Sequence, residues 1–271
     1  MHYVILRDDD TCAYTPAAFL ERLYRPFLSR GLPVTLAAIP EVRTDVMAAD
    51  GRLEGFLAAG RGPHMPVAPI GLARELVDYI KAEPSYHIAQ HGCHHDALEF
   101  GGSSRGELAR RLDRGAGVLR EAGFERPSAF VAPYDRLSRA AFVEAASRFD
   151  VISTGWFEAS RIPLRWGARY ALKKLSKRPH WRAGGTCLLS HPGCLLSFHR
   201  PRATMLASVR QAVDRTALTV LVLHWWEFFR EGSADGELIG VLHEVADWLA
   251  SRPDIRVVSF DDVARGTVPL S

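Results

Sequence analysis

The 271 residues, 47% hydrophobic and 24% charged, are enough for a substantial apolar core and describe an ordinary soluble globular chain. No apolar run approaches the roughly 20 residues needed to span a bilayer. Met1-His2-Tyr3 leads straight into a strand pattern with no leader-like segment, so the expected location is cytoplasmic.

Charge is unevenly spread. Between Glu158 and Asp214 eleven Lys and Arg side chains face no acid, so within a total of +3 the rest of the chain stands at −8. Cys12, Cys93, Cys187 and Cys194 are too few for a disulfide scaffold and are read as reduced thiols.

In chain order, Tyr3-Val4-Ile5-Leu6 is a strand that ends in Asp8-Asp9-Asp10. Thr15 as N-cap, Pro16 at the first helical position and the stripe Phe19, Leu20, Leu23, Phe27 predict a helix over about 16–30, stopped at Gly31. Residues 33–39 read as a buried strand, and the Gly-, Pro- and Ala-rich stretch 41–70 as a long, partly helical loop. Leu72, Leu76 and Ile80 mark a helix ending before Pro84, after which residues 86–90 form a strand delivering His91. Ser104 and Glu107 have the spacing of a capping box for a helix that stops at Gly123.

Strands at 128–132, 150–154, 186–190, 218–223 and 255–260 then alternate with helices at 138–148, 204–213 and 236–249. About eight strands in this length suit a closed β/α barrel, with an open doubly wound sheet as the alternative. No Gly-x-Gly-x-x-Gly follows the first strand, which weighs against a dinucleotide-binding fold.

The chemistry gathers where strands end. Asp8–Asp10, His91 and His95, Pro133-Tyr134-Asp135 and His224 all follow a predicted strand, and in a parallel barrel those ends share one face. Three adjacent carboxylates repel one another unless a cation offsets them. His91 and His95, four apart, are spaced to share one ion. Three protein ligands would leave positions for water and substrate. His94, between them, is a third imidazole of the same cluster. The set Cys187, His191, Cys194, His199 has ligand types fit for zinc at a spacing that matches no standard finger.

The order Leu6-Arg7-Asp8-Asp9-Asp10, His91-x-x-x-His95, Ala132-Pro133-Tyr134 and Leu221-Val222-Leu223-His224 resembles the polysaccharide deacetylases of carbohydrate esterase family four, in their divergent bacterial branch. The resemblance spans nearly the whole chain. It implies a distorted (β/α)7 barrel over residues 1–271, here with a basic insertion at about 159–185. The implied metal ligands are Asp10, His91 and His95, holding zinc or alternatively cobalt, nickel, iron or manganese. Asp9 is the implied general base and His224 the implied acid, with Asp150 as a partner for His224. A register shifted by one would instead give Asp8 and Asp9.

Tyr134, through its backbone N–H, is expected at the oxyanion, and Trp156, Trp225 and Trp226 are expected to wall the substrate pocket. The family's glycine after the Asp pair is Thr11, its Ser or Thr after the first metal His is Gly92, and its base-orienting arginine falls on Val131. The resemblance implies removal of an acetyl group from an acetamido sugar or related carbohydrate precursor. Its rivals are a hydrolase of another amide or ester, and an inactive barrel that binds an anionic glycan or membrane surface. Trp166, Tyr170, Lys173 and Lys174 at helical spacing suggest a basic helix near the barrel mouth that holds an anionic part of the substrate. No nucleic-acid-binding module is recognisable.

Overall fold

A computed structural model describes residues 1–47, 51–62, 65–230 and 232–270. Its thirteen strands are β1 (His2–Thr11), β2 (Val34–Ala38), β3 (Glu41–Arg43), β4 (Val67–Pro69), β5 (Tyr86–His91), β6 (Ala129–Val131), β7 (Val151–Ser153), β8 (Trp181–Ala183), β9 (Thr186–Leu189), β10 (Leu218–His224), β11 (Phe229–Arg230), β12 (Ser233–Ala234) and β13 (Ile255–Val257). The helices are α1 (Ala17–Leu28), α2 (Gly55–Ala59), α3 (Arg74–Ala82), α4 (Arg105–Glu121), α5 (Arg139–Ala146), α6 (Gly167–Leu175), α7 (Arg202–Arg215), α8 (Gly236–Ser251) and α9 (Phe260–Ala264).

Seven strands run parallel in the order β10-β1-β2-β5-β6-β7-β9, β13 pairs in parallel with the start of β1, and β8 is added antiparallel to β9. This is the distorted seven-stranded barrel. The strands are short and almost wholly apolar because helices cover the outer face and side chains fill the inner one. Alternation assigns the two faces. Ile5, Ala37, Ala89, Val131, Val151, Leu189, Val220 and Val222 point inward, and the base of the barrel is plugged by Phe260, Val263 and Val268. Val4 and Leu6 point outward and pack with Leu20, Leu23, Tyr24 and Phe27 of α1 and Leu238, Leu242 and Val245 of α8.

No ladder joins β9 to β10. The seam is instead crossed by one parallel bridge between Cys194 and Val222 and by the buried His180 side chain. His180 Nε2 donates to Leu218 O at 2.8 Å, and its Nδ1 accepts from Ser190 N–H at 3.3 Å. Burial lowers the His180 pKa to about 4, so the ring is neutral, as one donor and one acceptor require.

Several local expectations change. Thr15 does not cap α1: its hydroxyl accepts from Cys12 N–H, and Pro16 takes the N-cap place. Ser104 stands at the N-cap of α4 without a side-chain cap bond, while Glu107 pairs with Arg111. Capping side chains are found at Ser138, Asp235 and Ser259. The loop expected over 41–70 contains the antiparallel pair β3–β4 and the short α2. Residues 48–50 and 63–64 of that stretch lie outside the described residues. No described helix is long and apolar enough to cross a membrane.

Candidate metal centre and active-site cleft

The inward rows of β1, β5 and β10 end in polar groups at the carboxyl end of the barrel. Following Ile5, the next inward positions are Arg7 and Asp9; following Ala89 comes His91; following Val222 comes His224. Strict alternation would send Asp10 to the outer face with Asp8. A register break between Asp8 and Thr11, with Asp10 in the left-handed region at φ 71°, turns Asp10 inward beside Asp9. Both then line a cleft of about 220 Å³ with Arg7, Glu54, His91, His95, Tyr134, Asp135, His191, Cys194, His224 and Trp226.

Asp8 keeps the outer parity and leaves the cleft. Its Oδ1 accepts the Trp225 backbone N–H at 2.7 Å, and burial raises its pKa well above the ordinary carboxylate value against the opposing pull of Tyr24 and His224. The pair facing the cleft is therefore Asp9 and Asp10.

Asp10 Oδ1 lies 3.2 Å from His91 Nε2 and 3.1 Å from His95 Nε2, all three residues being buried. His91 Nδ1 must donate to the Val131 carbonyl at 3.2 Å, which leaves its Nε2 lone pair aimed at the carboxylate when the ring is neutral. Asp10 Oδ1 and His95 Nδ1 have no hydrogen-bond partner. Trp226 Nε1 fixes the other oxygen, Oδ2, at 2.8 Å. An oxygen and two nitrogens with converging lone pairs fit a divalent cation. Without one, the repulsion is relieved by protonation. Burial opposes charge on His95, but Asp10 outweighs it and raises the His95 pKa, while His95 and His91 outweigh burial and hold Asp10 well below the usual range.

The loop carrying these histidines is organised by Glu99, which the sequence reading did not single out. Its carboxylate accepts the backbone N–H groups of Cys93, His94 and His95 at 3.0 to 3.2 Å. Gly92 makes the approach feasible: at φ +66° a Cβ there would lie 2.5 Å from Glu99 Oε2 and 2.6 Å from Pro133 Cγ. A side chain at this position would collide with both.

Arg7 was also missed. Its guanidinium grips Asp9 through two bonds, Nε to Oδ1 at 2.7 Å and Nη2 to Oδ2 at 2.5 Å, and Nη1 donates to Ser153 Oγ at 2.9 Å. Val131, where an arginine was implied, lies among the inward apolar residues, so Asp9 is oriented from its own strand. The available signal was the i, i+2 spacing of Arg7 and Asp9 in a strand.

His224 has Glu227 as its partner, not Asp150. His224 Nδ1 is 3.3 Å from Glu227 Oε1 and 3.8 Å from Cys194 Sγ, whereas Asp150 is exposed just before β7. Burial opposes the imidazolium, yet Cys194 and Glu227 outweigh it and raise the His224 pKa well above its ordinary value. Asp135 and His191 form a further pair at 3.0 Å; burial works against the Asp135 charge, and His191 and Arg7 keep its pKa low.

The Tyr134 side chain lines the cleft and donates to Glu54 Oε1 at 2.7 Å. Trp156 does not reach the cleft: it is 53% exposed and donates to Glu158. Trp225 is fully buried, with Nε1 donating to Asp10 O, so its neighbour Trp226 forms the wall. Cys187 points into the barrel core and the His199 ring lies tilted against Phe198, so the four Cys and His residues of the late segment do not converge. None of the basic residues of 161–182 lines the cleft among the described residues. Arg169, Lys173, Arg178 and Arg182 instead border a separate cavity of about 520 Å³ beside residues 266–270.

Among solved structures, a chain from Mycobacterium smegmatis assigned to the polysaccharide deacetylases superposes with a TM-score of 0.59 at 14% identity, covering 97% of this chain and 89% of that one. A family 4 acetyl xylan esterase from Clostridium thermocellum, in complex with a cobalt ion, gives 0.53 at 12% identity with 99% and 94% covered. This chain has the polysaccharide deacetylase fold. PuuE allantoinase shares the deacetylase-type barrel, with a TM-score of 0.58, 12% identity and coverage of 97% and 89%. No family model and no curated protein matches the sequence.

Proposed function

We propose that the chain is a metal-dependent hydrolase that removes an amide-linked acetyl group from an acetamido sugar or related carbohydrate precursor. The observation that carries the reading is the convergence of Asp10 Oδ1, His91 Nε2 and His95 Nε2 in a cleft that also holds an arginine-clamped Asp9 and a charge-stabilised His224. A divalent cation held by those three atoms supplies a lowered water pKa and polarisation of the carbonyl.

The chain's own groups perform the proton transfers. Each Asp9 oxygen keeps a free lone pair after bonding to Arg7, so Asp9 accepts the proton of the attacking water. His224, kept cationic by Glu227 and Cys194, gives a proton to the departing amine. Arg7 also removes the motive for reading the barrel as inactive, because Asp9 has its guanidinium partner despite Val131. The likeness to the allantoinase fold favours testing cyclic amides as a second substrate class.

The test is metal analysis of protein purified without a histidine tag, together with acetate release from a panel of acetamido sugars under zinc, cobalt, nickel or manganese. One metal equivalent at this centre and acetate release are expected, both lost in Asp10→Asn. Acetate release that persists unchanged in metal-free protein would remove the proposal, and ring-opened product without acetate would move it to the second class.

A further inference from the structure

Beside the cleft, three potential ligands meet that the mechanism does not use. Glu41 lies on β3, and Cys93 and His94 lie between the two histidines of the first centre. Cys93 Sγ is 4.0 Å from Glu41 Oε1 and 3.8 Å from His94 Nε2, and His94 Nε2 is 3.7 Å from Glu41 Oε1. A tetrahedral ion with bonds of about 2.3 Å to sulfur and about 2.0 Å to nitrogen or oxygen sets edges of roughly 3.5 Å and 3.3 Å. The three atoms thus stand within about half an ångström of zinc geometry.

The arrangement of the imidazole is directional. His94 Nδ1 donates to the backbone carbonyl of Glu41 at 3.0 Å, so in the neutral ring Nε2 carries the lone pair and faces the thiol and the carboxylate. This is the outer hydrogen bond that orients metal-bound histidines. At 3.7 Å, Nε2 is too far from the carboxylate for a direct hydrogen bond. Arg114 binds Glu41 through both oxygens, at 3.0 Å and 2.6 Å, and its side chain is largely exposed. An ion that takes Oε1 leaves Oε2 to Arg114 as an outer partner. Cys93 and Glu41 are buried while His94 is partly exposed, which supplies an entry path and room for a fourth ligand from water.

We infer that Glu41, Cys93 and His94 form a second, thiolate-containing metal site, selective for zinc-like ions and separate from the Asp10, His91, His95 centre. Its place gives it a positioning role. Backbone bonds already tie Glu41 N–H to Cys93 O and Arg43 N–H to His94 O, so an ion there clamps the segment after β2 to the loop that presents His95.

In a cobalt(II) titration of the chelator-stripped full chain the sulfur band reads this site alone, since none of Asp10, His91 and His95 is a sulfur ligand. Two equivalents are expected, one of them with a near-ultraviolet sulfur-to-cobalt charge-transfer band. Asp10→Asn should retain the band and lose the other equivalent. Cys93→Ser should lose the band and one equivalent, and His94→Asn, altered at the partly exposed member, should weaken the band-associated binding by tenfold or more if Cys93→Ser fails to fold. Absence of any band from wild-type protein, or a band that survives Cys93→Ser and vanishes in Cys194→Ser, would overturn the assignment, whatever the outcome of the acetate assay.

Discussion

Arg7 decides what Asp9 can do. The two-pronged guanidinium meets both oxygens of this buried carboxylate and fixes their plane. Lysine can supply charge at that place but not two parallel donors. Arg7→Lys is therefore expected to retain metal at the first centre and to lower kcat by about 10–100-fold, the range seen when outer partners of a site are lost. Steady-state kinetics beside metal analysis checks it, and unchanged kcat would mean that Asp9 is not the proton acceptor. At this scale the sequence was informative where chemistry was concentrated in few residues, as in Asp9, Asp10, His91 and His95. It was silent on Glu99 and Glu227, whose roles arise from a loop closing on its own amides and from a turn three residues after His224. The Asp register depended on one left-handed residue, Asp10, which no composition signal marks.

Elements were legible in proportion to their apolar length. The inner strands are buried on both faces and read as continuous runs, so all seven parallel strands were expected near their observed bounds. β8, β3 and β4 were not, because Trp-Arg-Ala, Glu-Val-Arg and Val-Ala-Pro each carry a charge or a proline and form no apolar run. The seam between β9 and β10 was likewise hidden, since it depends on a side chain that replaces backbone ladder bonds. It carries a testable pH signature. His180 titrates near 6.5 when unfolded and near 4 when folded, so between those values the unfolded chain binds the extra proton. Its contribution is complete above about pH 6.5 and falls by about 3 kcal/mol as pH drops to 4. His180→Leu, which leaves Leu218 O and Ser190 N–H unpaired, should be less stable at pH 7 by on the order of 2–4 kcal/mol. Urea denaturation from pH 7 to 4 should show the gap between wild type and variant narrowing toward acid. A constant gap would mean that His180 is not buried and neutral at the seam.

Across the whole molecule, charge is segregated. Arg169, Lys173, Arg178 and Arg182 gather around the cavity beside residues 266–270, while the cleft presents four carboxylates, Asp9, Asp10, Glu54 and Asp135, to the Arg7 guanidinium and the His224 imidazolium. The cleft thus attracts cations, and its ligands come from distant parts of the chain: Asp10 from the first strand, His91 and His95 from the fifth and the loop after it. An unfolded chain cannot hold these three groups together, so an ion that binds them stabilises the folded barrel by mass action. At a free metal concentration about 100 times Kd that amounts to about 2.7 kcal/mol. For a domain of this size each kcal/mol shifts Tm by roughly 2–4 °C, so stripped protein should melt about 5–10 °C lower than loaded protein. Asp10→Asn removes the shared oxygen and should abolish most of that metal-dependent difference, leaving only the share contributed by any other bound ion. Thermal scans of both proteins with chelator and with graded zinc or cobalt measure it. Equal Tm values for wild type at every metal concentration would mean that the three lone pairs do not close on an ion, and the hydrolase reading would go with them.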